Sequence, residues 1–221
     1  NDLFKNMVHP VLARIEGDPA GTKGISIFIV PKYRVKEDGS LGEFNDVHCT
    51  GIEHKMGLKG SATCSMSFGD NGDCIGELLG EERKGMAIMF QMMNEARLGM
   101  GLQGSSTSSV SYLHALAYAK ERIQGKNIKD MMNPDAPNVP IIQHPDVRRM
   151  LMWMKTHAEG LRALVYLCAL CLDKSHASTG EEVDKWTGIM EFLIPICKSY
   201  GTDMGFRVTE LGIQCFGGYG F

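Results

Sequence analysis

Three stretches of the chain break an apolar pattern with charged, amide or glycine residues, and those breaks mark the candidate chemistry. In NEARLGMGLQG, residues 94–104, Asn94 and Arg97 sit among Met and Leu. A guanidinium in that setting either snorkels along its apolar stem or meets an anion. In YAKERIQGK, residues 118–126, Arg122 falls where a helix runs out just before Gly125. A cation there complements the helix dipole, and its planar fork equally suits a phosphate pair. In GIQCFGGYG, residues 212–220, Gln214 interrupts an apolar run, and Gly217, Gly218 and Gly220 follow closely. Clustered glycines either stop a helix or let backbone come close to a ligand. Residue types alone leave both readings open at each of the three places.

Other chemistries find less support. The seven histidines (His9, His48, His54, His114, His144, His157 and His176) are scattered without ligand spacing and read as satisfied polar side chains. Cys168 and Cys171 form a C-x-x-C inside LRALVYLCALCL, with no second Cys or His pair, so they read as small core residues rather than a metal or redox site. No paired carboxylates and no Ser-His-Asp arrangement stand out, and no metal site is expected. Seven cysteines is an odd count, which points to free thiols in a reducing compartment and hence to the cytoplasm. The net charge is -3 without a basic block, so nucleic acid is not an expected partner. No apolar run reaches the length of a bilayer span, so no membrane association is expected. Met86, Met89, Met92 and Met93 could line an apolar pocket, but methionines at helical spacing are more often core.

The elements that must position these residues change character near residue 80. Before it the chain reads as strands and turns. MVHPVLARI (7–15) is a strand interrupted by Pro10, GDPAGTKG (17–24) a turn-rich loop, and ISIFIV (25–30) a β-branched strand ended by Pro31. KEDGSLGEFND (36–46) reads as a polar loop, 47–60 and 63–68 as weaker strands, and 74–85 as a connection. From Met86 the period becomes helical. One helical region covers 86–124, softened by GLQGSSTSS, whose small residues would let a neighbour come close. Val147, Leu151, Met154, Ala158, Leu161, Val165, Cys168 and Leu172 then form the stripe of a long bundle helix. A further stripe runs Trp186, Met190, Leu193, Cys197, Tyr200, Met204, Val208, Leu211 and Cys215, with Pro195 and Gly201 expected to bend or break it. The loop 133–145 holds four prolines and should be extended. The fold class is therefore α+β: a partial β domain followed by an up-and-down C-terminal helical bundle.

Taken together, GTKGISIFIVPK, KMGLKGSAT, NEARLGMGLQG, YAKERIQGK and QCFGGYGF stand in the order and approximate spacing of the acyl-CoA dehydrogenase family. The chain resembles that family along essentially its whole length. NEARLGMGLQG, ERIQGK and IIQHPDVRRMLM look most like the branch containing 3-methylmercaptopropionyl-CoA dehydrogenase. Each motif is weak singly; the ordered set is specific.

The resemblance implies a flavoprotein that oxidises the Cα–Cβ bond of an acyl-CoA thioester to the 2-enoyl-CoA. A Glu takes the α proton and the β hydride goes to the flavin of FAD. It implies that residues 1–80 are the later part of a middle β domain and 81–221 most of a C-terminal four-helix bundle. It assigns Arg122 to the flavin pyrophosphate, and Gln214, Gly217 and Gly218 to the adenosine side, both across a subunit interface of a homodimer or homotetramer. Arg97 and Asn94 fall beside the acyl-CoA site, and an electron-transfer flavoprotein is the implied electron acceptor. Two departures stand out. The family's usual R-x-Q-F-G is here RIQG, without the aromatic that packs on adenine. The family's usual catalytic Glu lies beyond Phe221, so no catalytic residue is expected here and the chain by itself, a piece of a longer enzyme, should be inactive. Some members carry the base where this chain has Ala96; Glu95 is one residue away, a rotation of about 100° on a helix, and is not taken as its replacement. The alternatives to a dehydrogenase are an acyl-CoA oxidase, which would pass electrons to oxygen, and a non-catalytic helical interaction module.

Overall fold

β-branched ISIFIV is the strongest strand signal in the first part of the chain, and it becomes the central strand of a three-stranded sheet. In the computed structural model, which describes residues 4–221, the chain forms two compact units, Asn1–Met92 and Met93–Phe221. In the first unit, β1 (Val8–Arg14) pairs antiparallel with β2 (Ile25–Pro31), Val8 facing Pro31 and Arg14 facing Ile25. Ser26, Ile27 and Val30 of β2 are buried. Pro10 does not interrupt β1, contrary to expectation: β1 is an edge strand, where a missing N–H need cost no ladder bond.

Elsewhere in this unit one expectation fails and others hold. The stretch 36–46 is not all loop, because β3 (Tyr33–Val35) pairs with β4 (Leu41–Phe44) in a hairpin. Asp38 caps its turn by accepting from the Ser40 N–H at 2.9 Å, and Gly39 supplies a φ of 80°. β5 (Val47–Ile52) and β6 (Cys64–Phe68) form a second hairpin where the sequence suggests two weak strands. The connection 74–85 carries a two-residue β7 (Glu77–Leu78), which pairs with β2 on the side away from β1. Asn45, fully buried, ties these pieces together. Its amide donates to the Pro31 and Ile75 carbonyls at 2.8 Å each and accepts from the Ile75 N–H at 2.9 Å.

Three long helices dominate the second part: α1 (Gly85–Glu121), α2 (Pro145–Ala177) and α3 (Glu181–Phe216). The α2 stripe read from the sequence is the buried face, with Leu151, Met154, Ala158, Leu161, Val165 and Cys168 all buried. Pro145 opens this helix at its first turn, where its missing N–H costs nothing, and Asp146 adds negative charge there. Glu181, Glu182 and Asp184 do the same for α3. Only three residues separate α2 from α3, which makes them antiparallel neighbours.

α1 and α3 differ from expectation in the same way. GLQGSSTSS does not soften α1, and neither Pro195 nor Gly201 breaks α3. Their glycines are contact points instead. A Cβ on Gly101 would lie 2.5 Å from the Cys197 sulfur, and one on Gly212 2.4 Å from the Ser111 hydroxyl. Ser105 and Ser108 are buried on the same side of α1, as a small-residue face requires. A short ribbon, β8 (Ile123–Lys126) with β9 (Asn138–Pro140), links α1 to α2. The proline-rich 133–145 loop is thus part strand, followed by a single 3-10 turn, Ile141–Gln143.

Candidate functional site

Where α1 and α3 end, their last side chains and the β8 ribbon enclose an open cleft of about 730 Å³. Four residues singled out from the sequence line it: Arg122, Gln214, Gly217 and Gly218. Arg122 lies far from the other three in sequence, and the helix ends bring them together. Arg122 is the first residue past α1. Its N–H donates to the Tyr118 carbonyl at 2.8 Å, and its own carbonyl accepts from the Ile141 N–H at 2.8 Å. Its backbone is therefore fixed on both sides.

The Arg122 side chain is exposed. Its Nη2 donates to Gln124 Oε1 at 3.2 Å, and its guanidinium carbon lies 5.9 Å from the centre of the Tyr219 ring. Among the described residues no carboxylate pairs with it. Its charge is accordingly matched only by a neutral amide and a ring face, which leaves the fork able to take a diphosphate in two parallel hydrogen bonds.

The three glycines do different things. Gly217 caps α3 with a φ of 59°, and its N–H bonds to the Gln214 carbonyl, so it is the helix stop. Gly220 closes the 3-10 turn Gly217–Gly220 against the helix itself; a Cβ there would stand 2.5 Å from the Ile213 carbonyl oxygen. Gly218 has neither constraint. Its φ is not positive, and a Cβ added to it would meet no atom within 4 Å. It therefore keeps a wall of the cleft bare, as close approach of a ligand to backbone would need.

Three lining residues had no distinguishing signal in the sequence. Tyr118 stacks on Phe216 with ring centres 4.5 Å apart, joining the end of α1 to the end of α3. Tyr219 is exposed beside Arg122. His144, one of seven scattered histidines, places Nε2 2.7 Å from the Gln124 carbonyl oxygen, so Nε2 carries the proton and braces β8. Gly125, with φ of 75°, gives that imidazole room; a Cβ there would touch it at 3.4 Å.

Asn94 and Arg97 lie elsewhere. They sit in the early turns of α1 and bond to each other, Arg97 Nη1 donating to Asn94 Oδ1 at 3.1 Å. Arg122 follows Arg97 by the length of roughly 25 helical residues, about 37 Å. Arg97 thus lies about a third of the way along α1, and Arg122 just past its end. Of the four methionines at the start of α1, Met92 is exposed and Met86, Met89 and Met93 are half-buried. Cys168 and Cys171 are fully buried in α2, in keeping with the core reading, and all seven cysteines are free. Among the described residues, no group of His, Cys, Asp and Glu could hold a metal ion, and no helix is long and apolar enough to cross a membrane.

Ligand pockets are common between the helices of a bundle, and here Arg122 supplies the positive charge at the cleft. Residues 83–221 match the family model described as the acyl-CoA dehydrogenase C-terminal domain. The chain belongs to the acyl-CoA dehydrogenase family. It is 46% identical over its whole length to a butyryl-CoA dehydrogenase of Syntrophomonas wolfei, and 42% identical to the 3-methylmercaptopropionyl-CoA dehydrogenase of Ruegeria pomeroyi. It spans 37% of the length of each of these relatives. Among solved structures, the butyryl-CoA dehydrogenase of Megasphaera elsdenii superposes with a TM-score of 0.68 at 26% identity, covering 97% of this chain and 47% of that one.

Proposed function

We propose that these residues belong to an FAD-dependent dehydrogenase that oxidises the Cα–Cβ bond of an acyl-CoA thioester to the 2-enoyl-CoA. Within it, residues 1–80 are the later part of the middle β domain and residues 81–221 most of the C-terminal bundle. The observation that carries the reading is the cleft itself: an exposed arginine without a carboxylate partner among the described residues shares it with a bare glycine, at the ends of two helices. That donor set fits the dinucleotide. Arg122 would hold the diphosphate, and Gln214, Gly217 and Gly218 the adenosine side. When bound, FAD supplies the hydride acceptor.

Because the cleft is open, the remainder of the cofactor would be held by a second copy of the protein, which makes the working form a homodimer or homotetramer. Arg97 and Asn94, in the N-terminal half of α1, belong to the acyl-CoA side of the site. An electron-transfer flavoprotein takes the electrons. Seven free thiols support a cytoplasmic location.

The test is a titration of FAD into the protein followed by flavin fluorescence, with Arg122→Ala beside the wild type. Saturable binding that weakens at least tenfold in the variant supports the reading. Equal binding by both proteins removes Arg122 from the cofactor site, and the cleft with it.

A further inference from the structure

The cleft is rich in aromatic rings. Three line it: Tyr118, Phe216 and Tyr219. Tyr118 and Phe216 are stacked on each other with an interplanar angle of 24°, so each has a face already covered. Tyr219 does not share that stack. It is 79% exposed, tilted 57° to Tyr118 at 6.5 Å, with the Arg122 guanidinium carbon 5.9 Å from its ring centre.

Tyr219 is nonetheless held in place. Gly217 on one side turns the chain off α3 through a positive φ, and Gly220 on the other sits where an added Cβ would stand 2.5 Å from the Ile213 carbonyl oxygen. Between them, the bare Gly218 and the ring of Tyr219 line the same cleft. An exposed ring on a fixed turn, next to a fork that suits a diphosphate, is the arrangement for a ligand with a flat heterocycle one sugar away from its phosphates. Stacking on a tyrosine face tolerates any base and gains mainly from the shared area.

We propose that Tyr219 is the stacking platform for the adenine ring of an ADP-containing ligand whose diphosphate lies on Arg122. This assignment rests on the FAD reading above and adds the residue that would stack on the base. It makes the Gly217–Gly220 turn a binding element in its own right, with Gly218 clearing space and Tyr219 filling it.

Binding of ADP, FAD and FMN to wild type, Tyr219→Ala, Tyr219→Phe and Arg122→Ala, followed by isothermal titration calorimetry, tests the proposal. Helix content by circular dichroism should be the same in all four, since both altered side chains are exposed. Tyr219→Ala should weaken ADP and FAD about tenfold, in the range typical of a lost base stack. Tyr219→Phe should stay within about twofold of wild type. FMN, which lacks the adenosine half, should not respond to Tyr219→Ala. If Arg122→Ala loses ADP while Tyr219→Ala keeps it, the stacking assignment fails and the FAD reading stands. If FMN weakens as much as ADP, Tyr219 acts on something other than adenine and the assignment fails again. If wild type binds neither ADP nor FAD, both proposals fall.

Discussion

Gly104 and Gly201 meet backbone to backbone: a Cβ added to Gly104 would stand 2.2 Å from the Gly201 carbonyl oxygen. Gly205 continues the contact one turn on, where its Cβ would lie 3.3 Å from the Cα of Gly104. Nothing but hydrogen separates α1 from α3 here.

That contact sets the first prediction. Gly104→Ala gains helix propensity worth about 1 kcal/mol, but its methyl meets a carbonyl that belongs to a helix and cannot swing away. The net effect should be a loss of roughly 2 kcal/mol or more. Gly160 in α2 is the control. It has no atom within 4 Å of an added Cβ, so Gly160→Ala should stabilise by about 0.5–1 kcal/mol. Urea unfolding of the two variants against wild type checks both signs.

The turn after α3 allows a sharper separation of folding from binding. Gly218→Ala puts a methyl into the open cleft without touching the protein. It should unfold within about 0.5 kcal/mol of wild type yet bind FAD at least tenfold more weakly. Gly220→Ala drives its methyl into the Ile213 carbonyl and should lose about 1–3 kcal/mol of stability. Fluorescence titration alongside thermal melts distinguishes them, and equal behaviour of the two would argue against the glycines' divided roles.

Arg122→Lys should fall between wild type and Arg122→Ala in FAD affinity. Lysine keeps the charge but loses the planar fork and its paired donors. If Lys matched Arg, the residue would be acting as a point charge only. The same titration at rising salt should weaken the lysine variant more steeply, because an exposed point charge is the more easily screened.

Much of this fold could be read from residue order, and the exceptions share a cause. The α2 stripe from Val147 to Leu172 was legible because large apolar residues mark a buried face directly. On α3, Cys197, Val208 and Cys215 of the expected stripe are buried, but Tyr200 is exposed while Gly201, Gly205 and Gly212 are buried. A glycine has no side chain to announce burial, so a backbone-to-backbone crossing looks like a flexible point. The β3–β4 hairpin hid for a related reason: no residue of β4, Leu41–Phe44, carries a β-branched side chain. In the cleft, Arg122 could be picked out as a basic residue at a helix end just before Gly125, and Gln214 as a polar break in an apolar run. Tyr118, His144 and Tyr219 could not, because only the meeting of two helix ends gives them a common neighbour.

Asp46 gives the pH prediction. It is buried at a φ of 52°, and its carboxylate accepts from the Asn71 N–H at 2.6 Å, the Asn71 amide at 2.8 Å and His48 at 3.1 Å. The Asn71 N–H leads these bonds in holding its carboxyl below the ordinary range, against burial, which pushes the other way. A carboxyl whose folded pKa is depressed stabilises the fold above its unfolded pKa, about 4, and loses that contribution as pH falls through the folded value. Asp46→Asn keeps the shape and tolerates the positive φ. It should melt at a lower temperature than wild type at neutral pH, and the gap should close toward the acid end. A gap that stays constant with pH would count against the carboxylate.

The thiols should sort by burial. Burial, reinforced by the neighbouring Cys197 and Cys171 thiols, pushes Cys168 up to about 12, and burial also raises Cys197 and Cys215. Almost none of these three is thiolate at neutral pH. Alkylation of the native protein read by mass spectrometry should therefore mark Cys49 and Cys64 first, with Cys168, Cys171, Cys197 and Cys215 labelled only on unfolding. Early labelling of any of those four would show that the bundle opens locally.

The β8–β9 ribbon has a practical use. One end of it carries Arg122 and is braced by His144, while the other opens into residues 128–135, all exposed. A dye attached there would sit outside the cleft but on the same hairpin as its charged wall. Ligand arrival could then be watched as a change in emission, in real time, without a label in the site itself.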